Sequence, residues 1–218
     1  MNLSIVIPVY NEEETIPYLY QAVKDVMAGL DKEWELILVD DGSKDDGFTV
    51  LAKIAEKDPD HIRVIGLRRN FGQTAAIAAG IDHAVGEIIV LMDADMQNDP
   101  ADIPLLLEKI DEGYDVVSGW REKRKDNFIT RTLPSMFANK LISWVTGVHL
   151  HDYGCTLKAY RREVITGFRL YGEMHRYTPV LAKRNGFSAG EKVVNHRPRR
   201  FGRSKYGIAR FFRGYSDL

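Results

Sequence analysis

The hydrophobic positions of the N-terminal half fall into four short runs, which predict four buried strands. The runs are 4–9, 35–39, 62–67 and 88–91. The last run is apolar at every position rather than at alternate ones, as in a strand of a parallel sheet that is covered on both faces. Helical segments separate the runs, so strand and helix alternate four times. This alternation predicts a doubly wound, Rossmann-like α/β sheet with right-handed crossovers.

The C-terminal half has a less regular pattern. Strands are predicted at 114–120 and 188–196, and a helix opens near 172–177. Between 128 and 148 the apolar residues recur at helical spacing. Two explanations account for this stripe: packing in the protein core, or a helix that lies in the interface of a membrane.

Length and composition indicate one large domain that is soluble or peripheral to a membrane. The chain has 218 residues and a formal net charge of −1. It is long enough to bury a substantial core. Its single cysteine, Cys155, excludes an internal disulfide and favours a reducing compartment. We predict neither a signal peptide nor a membrane-spanning helix, because no apolar run approaches the roughly 20 residues that a span requires.

The basic residues are concentrated near the C-terminal end. Between Lys192 and Arg213 there are eight Lys or Arg residues and no Asp or Glu. Such a run favours an anionic partner, although a solvated basic face is the commoner explanation. No nucleic-acid-binding module accompanies the run, so nucleic acid is not an expected partner.

Acidic side chains follow two of the predicted strands. Asp40 and Asp41 follow the second strand, and Asp93 and Asp95 follow the fourth. Ligands of open α/β sheets bind outside the carboxyl ends of the strands. Asp93 and Asp95 point the same way if the backbone there is extended. A hard divalent cation would offset their repulsion, and Mg²⁺ typically combines one or two carboxylates with substrate phosphates.

Both acidic pairs also have a structural explanation, because Asp and Asn favour turns and helix caps. Asp95 or Asp99 is suited to cap the helix predicted after Pro100, and Asp41 is suited to a turn. Neither the Gly-x-Gly-x-x-Gly turn nor a P-loop occurs, which disfavours dinucleotide binding and P-loop chemistry. The remaining pattern suits a nucleotide sugar: one carboxylate for the nucleoside and a metal on the diphosphate.

Four motifs in this order resemble the family 2 glycosyltransferases with the GT-A fold. They are Pro-Val-Tyr-Asn-Glu at 8–12, Asp-Asp-Gly-Ser at 40–43, Arg-Asn-Phe-Gly-Gln at 69–73 and Asp-Ala-Asp-Met-Gln at 93–97. Within this family the chain is most similar to the polyprenyl-phosphate sugar transferases, which include dolichyl-phosphate mannose synthases and undecaprenyl-phosphate glycosyltransferases. The resemblance covers essentially the whole chain. It implies a mixed, mostly parallel sheet flanked by helices.

The resemblance also implies an organisation and a set of site residues. Residues 1–120 would form the nucleotide-sugar-binding half and 121–218 the acceptor-binding half of one continuous catalytic domain. The residues that would bind the donor are Pro8, Tyr10, Glu12, Asp40, Asp93, Gln97 and Lys205. The ligands of Mg²⁺ or Mn²⁺ would be Asp93, Asp95 and Gln97. The residues that would hold the acceptor phosphate are Arg121, Arg131 and Ser135. The catalytic set would be Asp95, Asp152 and Arg203.

The stretch from His151 to Arg162 resembles the acceptor-side motif of the undecaprenyl-phosphate branch, which favours a UDP-sugar over GDP-mannose. Asp152 would stand near the anomeric carbon. A polyprenyl phosphate is already an oxyanion at pH 7, so we expect positioning and charge neutralisation, more than a strong base, to determine the rate. The Gln-x-x-Arg-Trp motif of processive synthases does not occur, which favours transfer of a single sugar.

The predicted function is therefore an inverting, metal-dependent transfer of one hexose from a nucleotide sugar to a polyprenyl phosphate. The reaction would take place at the cytoplasmic face of a membrane. The stretch 128–148 would contact the membrane surface, and the oligomeric state stays open. Many members of the family continue into transmembrane helices about where this chain ends, so it is either a peripheral form or a truncated one. Two alternatives remain: a transferase that acts on a sugar or protein hydroxyl, with Asp152 as the base, and a non-catalytic nucleotide-sugar-binding subunit of a membrane complex.

Overall fold

The computed structural model describes residues 2–122, 143, 148–167, 170–172 and 174–199. The strands in these ranges are β1 (Leu3–Val9), β2 (Trp34–Asp40), β3 (Ile62–Gly66), β4 (Ile88–Leu91), β5 (Val116–Trp120), β6 (Lys158–Arg161) and β7 (Ala189–Val193). The α-helices are α1 (Ile16–Met27), α2 (Gly47–Lys57), α3 (Gln73–His83), α4 (Ile103–Asp111), α5 (Arg162–Thr166) and α6 (Thr178–Arg184).

The seven strands form one sheet in the order β3-β2-β1-β4-β6-β5-β7. β1 pairs in parallel with both β2 and β4, and β2 pairs in parallel with β3. β6 runs antiparallel to β4 and β5, and β7 is parallel to β5. The prediction of a mixed, mostly parallel sheet is confirmed. The chain order reverses between β1 and β4, and such a switch point is where open α/β sheets bind ligands.

The two faces of the sheet carry separate apolar layers because successive side chains of β1 point to opposite sides. Leu3, Ile5 and Ile7 pack in the layer that contains α1, whereas Val6 packs in the layer that contains α3. α3 approaches the sheet closely: a Cβ atom at Gly80 would lie 2.3 Å from Cγ1 of Val6. This double coverage explains why β1, β2 and β4 are buried along nearly all their length, whereas β3 at the edge of the sheet leaves Arg63 exposed.

β6 is the strand that the sequence pattern did not predict. It is only four residues long and begins and ends with a basic residue. It lies between β4 and β5, so one sheet joins the two halves that were predicted to meet at residue 120. The helix predicted near 172–177 begins instead as a 3₁₀ turn at Met174–Arg176, which precedes α6.

In the part of the chain that the structure describes, no helix combines the length and the apolar character needed to cross a membrane. The stretch 128–148, predicted as an amphipathic helix, lies outside the described residues except for Ser143 and Val148. Val148 is buried in a small cluster with Leu150, Tyr153, Tyr177 and Val180.

Candidate active site

A cavity opens at the carboxyl edge of the sheet, at the switch point between β1 and β4. Segments after β1, β2, β3 and β4 contribute to its walls, together with one residue from the segment that follows β7. The lining residues are Pro8, Val9, Tyr10, Glu12, Asp41, Asn70, Gln73, Asp93, Ala94, Asp95 and Arg199. The residues in this lining that the sequence predicted as site residues are Pro8, Tyr10, Glu12, Asp93 and Asp95.

The loops after β1 and β2 hold each other in place and form one wall. Asn11 adopts a φ of 50°, a left-handed conformation that Asn tolerates better than most residues. Its backbone N–H donates to Oγ of Ser43 over 2.9 Å, and its Oδ1 accepts from the N–H of Lys44 over 2.7 Å. The N–H of Glu13 donates to Oδ2 of Asp45 over 3.1 Å. This wall is therefore shaped before any ligand arrives.

Asp41 holds the loop after β3 against the cavity. Its carboxylate accepts hydrogen bonds from Nδ2 of Asn70 over 2.8 Å, from the N–H of Phe71 over 2.7 Å and from the N–H of Gly72 over 2.9 Å. The neighbouring Gly42 has a φ of +66°, and a Cβ atom there would lie 2.4 Å from the backbone of Arg69. The Asp-Asp-Gly sequence thus builds a close contact between two loops.

Asp40 lies behind the wall. The residue is 4% exposed, and its carboxylate accepts from the N–H of Ser43 over 3.2 Å. Its backbone carbonyl accepts from Leu67. In the structure Asp41, rather than Asp40, faces the cavity. The predicted contact between Asp40 and the nucleoside remains a prediction.

Asp93 is oriented from two sides. Nε2 of Gln73 donates to one of its oxygens over 2.6 Å, and Oγ1 of Thr156 donates to the other over 2.5 Å. Gln73 is the first residue of α3, and Thr156 precedes β6. Sequence reasoning missed both residues, although Gln73 ends the motif at 69–73.

Asp95 lies in a tight turn. Met96 has a φ of 61°, and the N–H of Gln97 donates to Oδ1 of Asp95 over 3.0 Å. The Gln97 side chain is not part of the cavity lining, and its Nε2 lies 3.5 Å from Nε2 of His196. The prediction that Gln97 is a metal ligand remains a prediction. Asp99 caps the 3₁₀ turn that begins at Pro100, as one of the structural explanations proposed.

The Asp93–Asp95 pair is electrostatically costly. Burial raises the pKa of Asp93, and the hydrogen bond from Thr156 opposes this shift. Burial, together with the charge of Asp93, raises the pKa of Asp95 to about 6, and Arg199 opposes this shift. Two carboxylates in a desolvated place favour a cation between them.

A divalent cation fits this arrangement. In the described residues no group of three or more His, Cys, Asp or Glu side chains could hold a metal by itself. Mg²⁺ is commonly bound by one or two carboxylates plus the phosphates of a substrate. Asp93 and Asp95 would supply the carboxylates, and a diphosphate in the cavity would supply the remaining charge.

Arg199 bridges two edges of the cavity. Its Nη2 donates to Oδ2 of Asp95 over 2.7 Å, and its Nη1 donates to Oε1 of Glu12 over 3.2 Å. The other carboxylate oxygen of Glu12 accepts from Oγ1 of Thr15 at the start of α1. The sequence analysis placed Arg199 in the basic run without a role of its own.

Asp152 and Arg121, which were predicted to have separate roles, form an ion pair. Nε of Arg121 donates to Oδ2 of Asp152 over 2.7 Å, and Nη2 donates to Oδ1 over 3.0 Å. Asp152 is 2% exposed and also accepts from the N–H of Gly154. This bidentate geometry fixes the guanidinium plane. Arg131, Ser135, Arg203 and Lys205 lie outside the described residues.

Lys158 is buried beneath the turn that follows Asp152. It is 2% exposed, and its Nζ donates to the backbone carbonyls of Tyr153 and Cys155. Burial lowers the pKa of Lys158 to about 8. Burial also raises the pKa of the Cys155 thiol to about 11, which argues against a nucleophilic thiolate.

His175 fastens the start of α3. Its Nδ1 lies 2.7 Å from Oγ1 of Thr74, and that hydroxyl donates to the carbonyl of Gly172 over 2.5 Å. His175 is buried. Because Thr74 follows Gln73 directly, this contact holds the residue that orients Asp93.

The sequence matches the model of glycosyl transferase family 2 over residues 4–168. It is 46% identical to a dodecaprenyl-phosphate galacturonate synthase of Rhizobium johnstonii, in an alignment that covers 100% of this chain and 65% of the relative. It is 42% identical to an undecaprenyl-phosphate 4-deoxy-4-formamido-L-arabinose transferase of Klebsiella pneumoniae, over 99% of this chain and 66% of the relative. The chain thus spans slightly less than two thirds of the length of these curated relatives.

Solved structures share the fold at lower identity. Glucosyl-3-phosphoglycerate synthase from Mycobacterium tuberculosis, in complex with Mn²⁺, uridine diphosphate and phosphoglyceric acid, superposes with a TM-score of 0.69 at 22% identity, over 93% of this chain and 72% of that chain. A mannosyltransferase from Pyrobaculum calidifontis, in complex with GDP-mannose and Mn²⁺, gives a TM-score of 0.63 at 22% identity, over 91% of this chain and 58% of that chain.

Proposed function

This chain belongs to glycosyltransferase family 2, and from that premise we propose that it transfers one sugar from a nucleotide sugar to a polyprenyl phosphate with inversion at the anomeric carbon. The observation that carries the proposal is the half-buried pair Asp93 and Asp95 at the switch point of the sheet. Relatives named for polyprenyl-phosphate sugar transfer support the acceptor. The preference for a UDP-sugar over GDP-mannose rests on the resemblance of residues 151–162 to the undecaprenyl-phosphate branch.

The donor half of the site is preorganised. The interlocked loops after β1 and β2 give the nucleoside a fixed wall that includes Pro8 and Tyr10. Gln73 and Thr156 hold Asp93 in one orientation. A bound Mg²⁺ or Mn²⁺ would neutralise charge on the leaving diphosphate. Asp93 and Asp95 are the residues that would hold it, and Gln97, Arg203 and Lys205 are the further donor-side residues that we propose.

On the acceptor side, the phosphate oxygen of the lipid attacks the anomeric carbon and nucleoside diphosphate leaves. We assign the acceptor phosphate to Arg121, Arg131 and Ser135. Asp152 holds the Arg121 guanidinium with both carboxylate oxygens, so its role is to aim a phosphate-binding group. An anionic phosphate needs no proton removed before it attacks.

A hydroxyl acceptor fits this geometry less well. Such an acceptor requires Asp152 to take a proton, whereas both of its oxygens accept hydrogen bonds from Arg121. For the lipid acceptor, we propose that the protein works at the cytoplasmic surface of a membrane and that the stretch 128–148 contacts it. The membrane contact, the acceptor half 121–218 and the choice between Mg²⁺ and Mn²⁺ are parts of the same proposal.

A donor screen tests the proposal. The protein is mixed with a short-chain polyprenyl phosphate, Mg²⁺ or Mn²⁺, and UDP-glucose, UDP-N-acetylglucosamine, UDP-galacturonate or GDP-mannose in turn. Nucleoside diphosphate release and lipid-linked sugar are measured together. We expect stoichiometric lipid product from one UDP-sugar. Donor binding without lipid product from any of them would contradict the proposal and favour a different acceptor or a non-catalytic subunit.

A further inference from the structure

The segment after β7 is fastened along the segment after β4, and this pairing delivers Arg199 to the cavity. Asn98 and His196 form an antiparallel bridge, and the N–H of Arg197 donates to the carbonyl of Gln97 over 2.9 Å. Further along, Asn195 donates to both carboxylate oxygens of Asp102 over 2.7 and 3.0 Å. The backbone up to residue 197 is therefore held in register with the turn that carries Asp95.

The Arg199 guanidinium lies where a cation is most favourable. It joins Asp95 at the end of β4 to Glu12 in the loop after β1, and its side chain is 19% exposed. Asp95 retains 14% exposure. In such a partly desolvated place, like charges repel and opposite charges attract more strongly than they do in water. Arg199 therefore offsets part of the repulsion between the acidic side chains.

We propose that Arg199 is a built-in counter-cation that competes with the divalent metal for Asp95, so that the metal binds tightly only together with a nucleoside diphosphate. This inference rests on the proposed function in one respect: it takes Asp95 as a metal ligand. Oδ2 of Asp95 is already 2.7 Å from Nη2 of Arg199. A divalent cation on the same carboxylate would bring two positive groups within about 4 Å of each other, which is unfavourable in a partly desolvated site.

A diphosphate removes this conflict because it gives Arg199 a new anion. The planar guanidinium matches phosphate oxygens in a two-pronged geometry, and Arg199 already lines the cavity. Metal and nucleotide would then strengthen each other's binding, and the coupling is reciprocal by linkage. Arg199 thereby acts as a positioning residue that sets the coupling between metal and donor.

The test is a Mn²⁺ titration of the purified full chain, followed by the electron paramagnetic resonance signal of free Mn²⁺ with and without UDP. It is carried out at about pH 8, above the pKa of Asp95. In Arg199→Met we expect Mn²⁺ alone to bind about tenfold more tightly than in the wild type, since a charge-assisted hydrogen bond no longer has to be broken. The enhancement of Mn²⁺ binding by UDP should shrink correspondingly. The Mn²⁺ affinity of Arg199→Lys should fall between those of the wild type and Arg199→Met, because a single ammonium group cannot bridge Glu12 and Asp95 as the planar guanidinium does.

The matched control is Arg197→Met. Arg197 carries the same charge two residues away and pairs with Asp99 over 2.5 Å instead of with Asp95. We expect Mn²⁺ affinity in this variant to stay within about twofold of the wild type, since the removed charge is exposed and screened. An equal gain in both variants would overturn the proposal, because it would show a general effect of net charge.

Asp95→Asn separates this inference from the function on which it rests. Loss of Mn²⁺ binding in Asp95→Asn with unchanged binding in Arg199→Met would overturn the role of Arg199 alone and leave the metal assignment standing. Wild-type Mn²⁺ binding in Asp95→Asn would overturn both. Circular dichroism and thermal unfolding of each variant test whether the fold is retained. The Mn²⁺ titration itself does not depend on sugar transfer.

Discussion

Asp41 and Asp95 follow the two strands that flank β1, at the same edge of the sheet, but their carboxylates have different partners. Asp41 receives two backbone N–H groups and one side-chain amide from the loop at 70–72. Asp95 receives one backbone N–H, stands close to the charge of Asp93, and has Arg199 as its counter-ion. The first acid is stabilised by donors that belong to the fold. The second has a like charge beside it and an arginine as its counter-ion, and that difference is the one expected between a structural carboxylate and a metal ligand.

The largest effect should come from Asp95→Asn. If this acid holds the metal, turnover should fall by about 10³-fold or more, because a main source of transition-state charge stabilisation is lost. The free energy of unfolding should not fall, since the substitution removes a charge that burial disfavours. Steady-state kinetics and denaturant unfolding of the same preparation check both parts. Turnover at the wild-type rate would contradict the role given to Asp95.

A third acid, Asp152, extends the comparison to the proposed acceptor side. Like Asp41 it is engaged by donors of the protein, here the Arg121 guanidinium. Asp152→Asn should slow transfer by about 10²-fold, the typical cost of misplacing a group that positions substrate. The pH dependence of kcat should keep its wild-type shape, and Arg121→Met with Asp152→Asn should be little worse than either change alone. Loss of the acidic limb of the pH profile would instead identify Asp152 as a base, because a base loses activity when it is protonated.

Asp41→Asn should behave in the opposite way to Asp95→Asn. We expect it to lower the free energy of unfolding by about 1–3 kcal/mol, because two backbone N–H groups of a partly buried loop contact lose a charged acceptor. Mn²⁺ affinity should stay close to the wild-type value. Urea unfolding and the Mn²⁺ titration provide the two readings. Loss of Mn²⁺ binding with an unchanged unfolding free energy would reverse the assignment of the two acids.

The smallest effect is on the pH dependence of stability. The pKa of Asp95 is raised from 3.8 to about 6, so between these values the folded state holds a proton that the unfolded state has released. The contribution of Asp95 to stability should therefore be largest below about pH 4 and fall as the pH rises to 6, by at most about 1.4 kcal/mol per pH unit. Comparing the urea unfolding midpoints of the wild type and Asp95→Asn over this pH range isolates the contribution of Asp95. A difference between the two that does not change over this range would contradict the shift.

Much of the fold could be predicted because β1, β2 and β4 are buried on both faces and therefore read as largely apolar runs. β6 could not be predicted in this way, because it begins with Lys158 and a buried lysine is not expected in a strand. Its partners are the carbonyls of Tyr153 and Cys155, which lie in a turn just before the strand. Backbone acceptors have no signature in the sequence, so only the folded chain shows why this charge is tolerated.

The candidate site shows the same division. Tyr10, Glu12, Asp93 and Asp95 could be placed because their motifs follow strand ends and resemble a known family. Arg199 could not, because its contact with Asp95 joins residues 104 positions apart. Within the basic run, the resemblance gave roles to Arg203 and Lys205 and none to Arg199. Only the pairing of the segments after β4 and β7 distinguishes Arg199.

The antiparallel β6 also determines the order in which the sheet can be completed during synthesis. β1 to β4 can pair once Leu91 has left the ribosome, but the strand that covers β4 on its other side begins at Lys158. Among the described strands, β5 pairs only with β6 and β7, which are both made later. At 5–20 residues per second, the β4 edge stays open for roughly 3–13 seconds, and open edges invite pairing with other chains. The nascent chain should therefore be most prone to aggregation, and most dependent on chaperones, before β6 inserts.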